Sequence, residues 1–201
     1  AIAVMSSVNG IGGSSMKEIV IATDPTWEPM EFLDQNKKMA GFEIDLMKAA
    51  AAEEGYSIRF INVAWDDLFT GLAAGKYDAV CSSVSIKEER KKTMDFSRPY
   101  INGGRVLVVR KWGWRPRAVK DLKGKRIGVV KNTAGENILK KEGIESVVYY
   151  DFEQPFIDLN SEVTDAVLID LPVAARICVH DKDFKGKFAI SSAVLDEDYF
   201  G

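Results

Sequence analysis

Hydroxyls at Ser82, Ser83 and Ser85, followed by the guanidinium of Arg90, form the first group in this sequence able to do recognition chemistry. Such a set grips a carboxylate through paired, charge-assisted hydrogen bonds. The same residues also read as a helix start, with Ser85 and Glu88 forming a capping box and Arg90 on a solvated face. The two readings are compatible. In Lys131-Asn132-Thr133-Ala134-Gly135 a strand runs into a helix, whose first N–H groups and positive dipole end favour a carboxylate or phosphate. That segment lacks the glycine pattern of a phosphate loop, which argues against a mononucleotide. Asp170 follows the apolar run 166–169 and either caps the helix opening at Leu171-Pro172 or offers its charge to a ligand ammonium. Trp27 and Trp65 each follow a strand, and either pack locally or clamp a flat or cationic side chain.

Other chemistries have little to work with. His180 is the one histidine, so Ser-His-Asp, Cys-His and multi-histidine metal sites all rest on a single residue. Flanked by Asp181 and Lys182, it reads as a solvated surface residue. Cys81 and Cys178 have neither metal-type nor CxxC spacing and read as small buried hydrophobes, with a disulfide as the alternative. No metal or cofactor is expected. Lys+Arg number 27 against 30 Asp+Glu, a net charge of -3, so no basic field is available for nucleic acid. The 201 residues are 46% apolar and 28% charged, an ordinary globular mixture. There is no run of about 18 apolar residues to span a membrane.

These residues must be held by the elements around them. From Glu18 onward, short β-rich runs alternate with amphipathic segments, the pattern of a parallel sheet covered by helices, so the class is α/β. The first cycle has strands over 19–22, 57–62 and 78–82, helices over 42–54 and 65–74 stopped by Gly55 and Gly75, a charged helical turn over 86–93, and a Val-rich strand over 105–110. The second has a short helix at 119–122, strands at 126–130, 146–150, 166–169 and 188–190, and helices at 134–141, 154–160 and 172–179. Two such cycles predict two lobes with a ligand cleft between them. Residues 1–16, rich in Ser and Gly, read as a linker or a signal remnant, 17–104 as lobe 1, 105–197 as lobe 2 and 198–201 as the start of a return crossover.

The sequence resembles the periplasmic amino-acid-binding proteins of ABC transporters, the group that includes glutamine-binding and lysine/arginine/ornithine-binding proteins. The resemblance is carried by an ordered series: Ala22-Thr23-Asp24, Pro29-Met30-Glu31-Phe32, Gly41-Phe42-Glu43-Ile44-Asp45-Leu46, the run 79–90 followed by Asp95-Phe96-Ser97, Asp121-Leu122-Lys123-Gly124-Lys125 with Gly128-Val129, and Asp165-Ala166-Val167 with Asp170. It implies the two-lobe type II periplasmic binding fold and an extracytoplasmic, non-enzymatic solute-binding component, soluble or lipid-anchored, that delivers a free amino acid to a membrane permease. By the same resemblance Arg90 grips the ligand carboxylate, assisted by Ser85 and by N–H groups near Ala134 and Gly135. Asp170 and the Ser83 carbonyl hold the ammonium. Trp27 and Trp65 are aromatic walls, and Asp24, Lys131 and Ile169 touch the ligand side chain.

Asp24 as acceptor and Lys131 as donor suit a terminal amide, and Lys131 would repel a cation, so glutamine ranks first and a basic amino acid second. The chain stops near Asp198-Tyr199-Phe200-Gly201, where family members add a strand and helices to the first lobe. A shortened, monomeric form is expected unless swapping occurs, and the strand-like Ala1–Val4 leaves a permuted arrangement open. Two rivals share the fold. One is a cyclohexadienyl dehydratase-like enzyme with Glu28 as general acid, and the other is the ligand-binding domain of a membrane sensor.

Overall fold

A computed structural model describes residues 17–191 and 193–201. The expected linker at 1–16 lies outside the described residues. The chain divides into two compact units: unit 1 runs to Ile101 and includes Phe200–Gly201, and unit 2 is Asn102–Tyr199. The sequence had placed these limits after residues 104 and 197.

Unit 1 contains strands β1 (Glu18–Thr23), β2 (Thr26–Trp27), β3 (Glu31–Leu33) and β4 (Met39–Ala40), helix α1 (Phe42–Glu53), β5 (Ser57–Asn62), helix α2 (Trp65–Ala73), β6 (Ala79–Val80) and the short helix α3 (Glu88–Lys91). Strand β1 lies between β5 and β6, parallel to both. Its alternation explains its position. Ile19 and Ile21 pack with Met47 of α1, Ile58, Phe60, Ala79 and Cys81, while Val20 and Ala22 pack with Leu68 and Leu72 of α2 and with Tyr77. The sequence assigns no element between the strand at 19–22 and the helix at 42–54, whereas β2, β3 and β4 form an antiparallel meander there. Strands of two or three residues are too short to show a hydrophobic period.

Gly41 sets the path from that meander into α1. Its φ is +124°, and a Cβ there would lie 2.3 Å from the Met30 carbonyl oxygen. That carbonyl accepts the Glu43 N–H at 2.9 Å. Gly41→Ala therefore combines a disfavoured backbone with a clash against main chain. A loss of about 3 kcal/mol is expected. Chemical denaturation would check it, and a change below about 1 kcal/mol would show that the turn can relax.

The chain leaves unit 1 through β7 (Ile101–Asn102) and then forms β8 (Arg105–Arg110), a 3-10 turn (Val119–Leu122), β9 (Ile127–Val130), α4 (Ala134–Lys141), β10 (Ser146–Tyr149), α5 (Gln154–Asn160), β11 (Ala166–Asp170), α6 (Leu171–Val179), β12 (Phe188–Ile190) and β13 (Tyr199–Phe200). The unit 2 sheet has the order β10-β9-β11-β8-β12. The first three strands are parallel, while β8 and β12 join antiparallel. Leu107, Val109, Ile127, Val129, Ala166 and Leu168 form its core with Leu122, Leu139 and Ile144. Both units share one device. The first parallel strand is central and its successors flank it on either side, so the chain reverses direction across the sheet at the carboxyl end of that strand. Open α/β sheets bind ligands at this position.

Candidate functional site

In unit 1 the carboxyl ends of β1, β5 and β6 carry Asp24, Trp65 and the Ser82–Ser85 segment. Asp24 ties two of them together. Its carboxylate accepts the Trp65 N–H at 2.8 Å and the Thr26 hydroxyl at 2.8 Å. It thus orients the start of α2 as well as supplying negative charge. Its own N–H donates to Ser82 Oγ at 3.0 Å. Trp27 is half-buried in β2, opposite Glu31 of β3. Glu28 is half-buried in the turn that joins those strands.

Arg90 is half-buried and held from two sides. One Nη donates to the Ser85 carbonyl at 3.1 Å. The guanidinium carbon lies 5.5 Å from the Trp65 ring centroid and 5.0 Å from that of Phe69, and these two rings meet edge-to-face. A planar cation propped on aromatic faces keeps a fixed fork direction, the property required for recognising a carboxylate. The Trp65 indole Nε1 is buried without a hydrogen-bond partner. Phe69 escaped sequence reasoning, although its spacing from Trp65 on α2 places the two on one helix face. The capping-box reading of Ser85 and Glu88 is corrected. Helix α3 starts at Glu88 behind Lys87, without a side-chain cap, and Ser85 pairs in an antiparallel bridge with Phe200. The returning chain thus occupies the Ser85 backbone that a capping turn would need.

Ser83 is buried with φ +48°, the left-handed region that a non-glycine residue rarely occupies. Two buried carboxyl groups lie behind it, Glu31 of β3 and Glu43 of α1. Both fall in the motif series, yet no role is legible for either in sequence. Cys81, in the same cluster, is a free thiol, as is Cys178. Burial, then Glu43, pushes the Cys81 thiol well up, and burial pushes Cys178 to about 11. His180 is exposed.

In unit 2 the carboxyl end of β9 runs into α4 through Lys131, Asn132 and Thr133. Thr133 caps the helix, accepting the Glu136 N–H at 3.4 Å, while the Glu136 carboxylate accepts the Asn132 N–H at 2.7 Å and pairs with Lys140 at 2.7 Å. This reciprocal cap resembles a capping box displaced by one residue. Burial opposes ionisation of Glu136, but Lys140 and the Asn132 N–H outweigh it and hold its carboxyl low. Ala134 and Gly135 are the first residues of α4, at the positive end of its dipole. A Cβ at Gly135 would meet Val129, Arg105 and Leu168 at 3.3–3.6 Å, so this turn packs tightly on the sheet. The Lys131 ammonium lies 4.9 Å from the Tyr150 ring centroid.

Asp170 occupies the cap position of α6, but its carboxylate makes no capping bond. The Leu171 N–H goes instead to the Gly103 and Gly104 carbonyls. Ile169 is packed inside the sheet with 3% exposure, opposite Val106. Asp170 faces Arg105 across the antiparallel β11–β8 pair. Arg105 is 1% exposed; it donates from Nη1 to Asp198 at 2.6 Å and forms a two-pronged pair with Asp196, one bond being Nε to Oδ1 at 3.0 Å. Burial opposes the charge, but Asp196 and Asp198 outweigh it and hold the guanidinium above its ordinary range. Sequence reasoning missed Arg105. Its partners lie over 90 residues away, and an arginine opening a strand resembles a surface residue.

Two α/β units, each with polar loops at the carboxyl ends of parallel strands, define the type II periplasmic binding fold. The chain belongs to the bacterial extracellular solute-binding proteins, family 3, which match residues 19–142. It is 34% identical to ABC transporter arginine-binding protein 1 of Escherichia coli K12, over 94% of this chain and 77% of that protein. It is 32% identical to the histidine-binding periplasmic protein of Salmonella typhimurium LT2, over 98% of this chain and 77% of that protein. Among solved structures, the arginine-bound form of truncated ArgBP from T. maritima matches with a TM-score of 0.83 and 32% identity, covering 92% of this chain and 86% of that one. Among the described residues, no helix is long and apolar enough to cross a membrane and no metal-type cluster occurs.

Proposed function

We propose that this chain is the extracytoplasmic binding component of an amino-acid ABC transporter and that it takes a basic L-amino acid, arginine foremost. The observation that carries this reading is the guanidinium of Arg90, propped by Trp65 and Phe69 at the strand ends of unit 1. It receives the ligand carboxylate, with Ser85 beside it. The Ser83 carbonyl and Asp170 receive the ammonium, and the α4 N-terminus at Ala134 and Gly135 adds N–H donors.

The ranking of glutamine first gives way to a basic ligand. The glutamine ranking rests on Asp24 and Lys131 as a terminal-amide pair and on repulsion of a cation by Lys131, whose ammonium lies 4.9 Å from the Tyr150 ring centroid. Asp24 contributes a carboxylate, and Trp27 and Trp65 offer flat faces suited to a guanidinium. Relatives named for arginine and histidine point the same way. An enzymatic reading would rest on Glu28 in the β2–β3 turn as general acid. Titration calorimetry with L-arginine, L-lysine, L-histidine and L-glutamine tests the assignment. Arginine is expected to bind at least tenfold tighter than glutamine, a difference of about 1.4 kcal/mol, and glutamine binding as tightly would overturn it.

A further inference from the structure

Glu31 and Glu43 are 1% and 0% exposed. Among the described residues no lysine or arginine forms an ion pair with either. Glu43 accepts the Ser83 N–H at 2.9 and 3.0 Å, the Tyr100 hydroxyl at 2.7 Å and the Cys81 thiol at 3.3 Å, and Ser83 Oγ lies 3.1 Å from its Oε1. It also sits in the first turn of α1, where the dipole favours negative charge. Surrounded by donors, Glu43 is the carboxylate of the pair.

Glu31 is surrounded differently. Ser82 Oγ lies 3.1 Å from its Oε1 and Ser83 Oγ 3.0 Å from its Oε2. Ser82 Oγ accepts the Asp24 N–H, so its own hydrogen is directed to Glu31. Ser83 Oγ lies within hydrogen-bond distance of both carboxyl groups but has one hydrogen, which can serve only one of them. The other contact needs a proton from a carboxyl group.

We infer that Glu31 is protonated in the native protein at neutral pH and donates through Ser83 Oγ to the Glu43 carboxylate, latching Ser83 in its left-handed conformation. The order of bonds is Asp24 N–H to Ser82 Oγ–H to Glu31, then Glu31 O–H to Ser83 Oγ–H to Glu43. Burial, then the charge of Glu43 and more weakly that of Asp24, raises the Glu31 carboxyl well above its ordinary value of 4.5, against hydrogen bonds from Ser83 and Ser82. The facing groups are thus Asp24 from the end of β1, Glu43 from α1, Cys81 and the two serines after β6, and Tyr100 from the segment before β7. Cys81 and Tyr100 are both held protonated, by burial and then by Glu43. Loss of the Glu31 proton leaves two facing carboxylates and removes the bond to Ser83 Oγ. On the functional reading proposed above, the Ser83 carbonyl receives the ligand ammonium, so Glu31 and Glu43 are positioning residues for binding.

A carboxyl raised in the folded state holds a proton that the unfolded chain has lost, so this contribution is full below about pH 4.5 and declines as pH rises toward the folded value. Glutamine at position 31 keeps one acceptor and one donor edge but does not titrate. In ligand-free protein at neutral pH, the infrared band of a buried protonated carboxyl is expected, and Glu31→Gln should remove it. Across about pH 5 to 9, Tm of the wild type should fall more steeply than Tm of Glu31→Gln. Affinity for L-arginine should fall by up to tenfold per pH unit once the proton is lost, and Glu31→Gln should abolish that slope. Glu43→Gln should be far less stable than Glu31→Gln, because an amide at 43 turns a donor toward donors.

Absence of the band at neutral pH, or its survival in Glu31→Gln, overturns the shared proton. An identical Tm slope in wild type and Glu31→Gln overturns the latch. Failure of the wild type to bind L-arginine while the band and Tm slopes behave as expected overturns the ligand assignment and leaves the latch standing.

Discussion

Arg90→Ala is expected to weaken L-arginine binding by about 2–5 kcal/mol, on the order of a hundredfold or more in Kd, because it removes the only guanidinium proposed to meet the ligand carboxylate. Arg90→Lys should rescue little. An ammonium cannot present a two-pronged fork, and it stacks less well on Trp65 and Phe69. Asp170→Asn should cost a similar amount, through loss of charge at the ammonium end. Some loss of thermal stability is expected in both variants, since Arg90 is held by Ser85, Trp65 and Phe69 and Asp170 faces Arg105. Calorimetry with L-arginine and thermal unfolding on the same samples separate the two effects. A Kd for Arg90→Ala within threefold of wild type would remove this residue from the site.

A large stability effect is also expected at Arg105. Arg105→Met leaves Asp196 and Asp198 without their common cation beside Asp170, and Asp198 is as buried as the guanidinium it loses. Removal of one member of a buried ion pair costs about 3–5 kcal/mol. Part of Asp196 remains in contact with water, which places the expectation toward the lower end. Urea denaturation should show the loss, and the companion change Asp198→Leu in the Arg105→Met background should restore part of it by removing the stranded charge. A single variant as stable as wild type would mean that the acidic side chains swing into solvent.

This network also serves the proposed site. Asp170 shares its cross-strand neighbour with Asp196 and Asp198, so one positive charge is set among three carboxylates. The carboxyl end of β11 therefore keeps an excess of negative charge, an environment suited to a ligand ammonium.

Much of the fold was legible because its signals are local. The helices over 42–53, 65–73 and 134–141 follow apolar spacing and end before glycines of positive φ at 55, 75 and 143. Strands β8, β9 and β11 are continuous apolar runs, as sheets buried on both faces require. The β2–β4 meander was missed because two- and three-residue strands carry no period. The α4 cap was legible as Thr133 with Glu136 three residues on, whereas the carboxylate's bond back to the Asn132 N–H was not.

The candidate site was legible only in part. Arg90, Asp24 and Asp170 could be named from residue type and position after strands, but their partners could not. Ser85 was read as a cap because Phe200, its bridge partner, lies more than 100 residues away. Glu31 and Glu43 resemble ordinary surface acids in a sequence. The register of β3 on β2 and the close approach of Gly41 to Met30 carry the chain that brings them together behind Ser83.

The amino-acid order by itself determined the class of fold, the succession of strands and helices, and which polar residues follow the strands, because hydrophobic periodicity and turn chemistry act within a few residues. Only the tertiary structure decided which charges are buried and what neutralises them: Arg105 among Asp196, Asp198 and Asp170, and Glu31 facing Glu43 across Ser83. The reason is that electrostatic partners are chosen by the register of strands joined through long crossovers, and burial raises the energy of a charge that the same residue would carry freely in water.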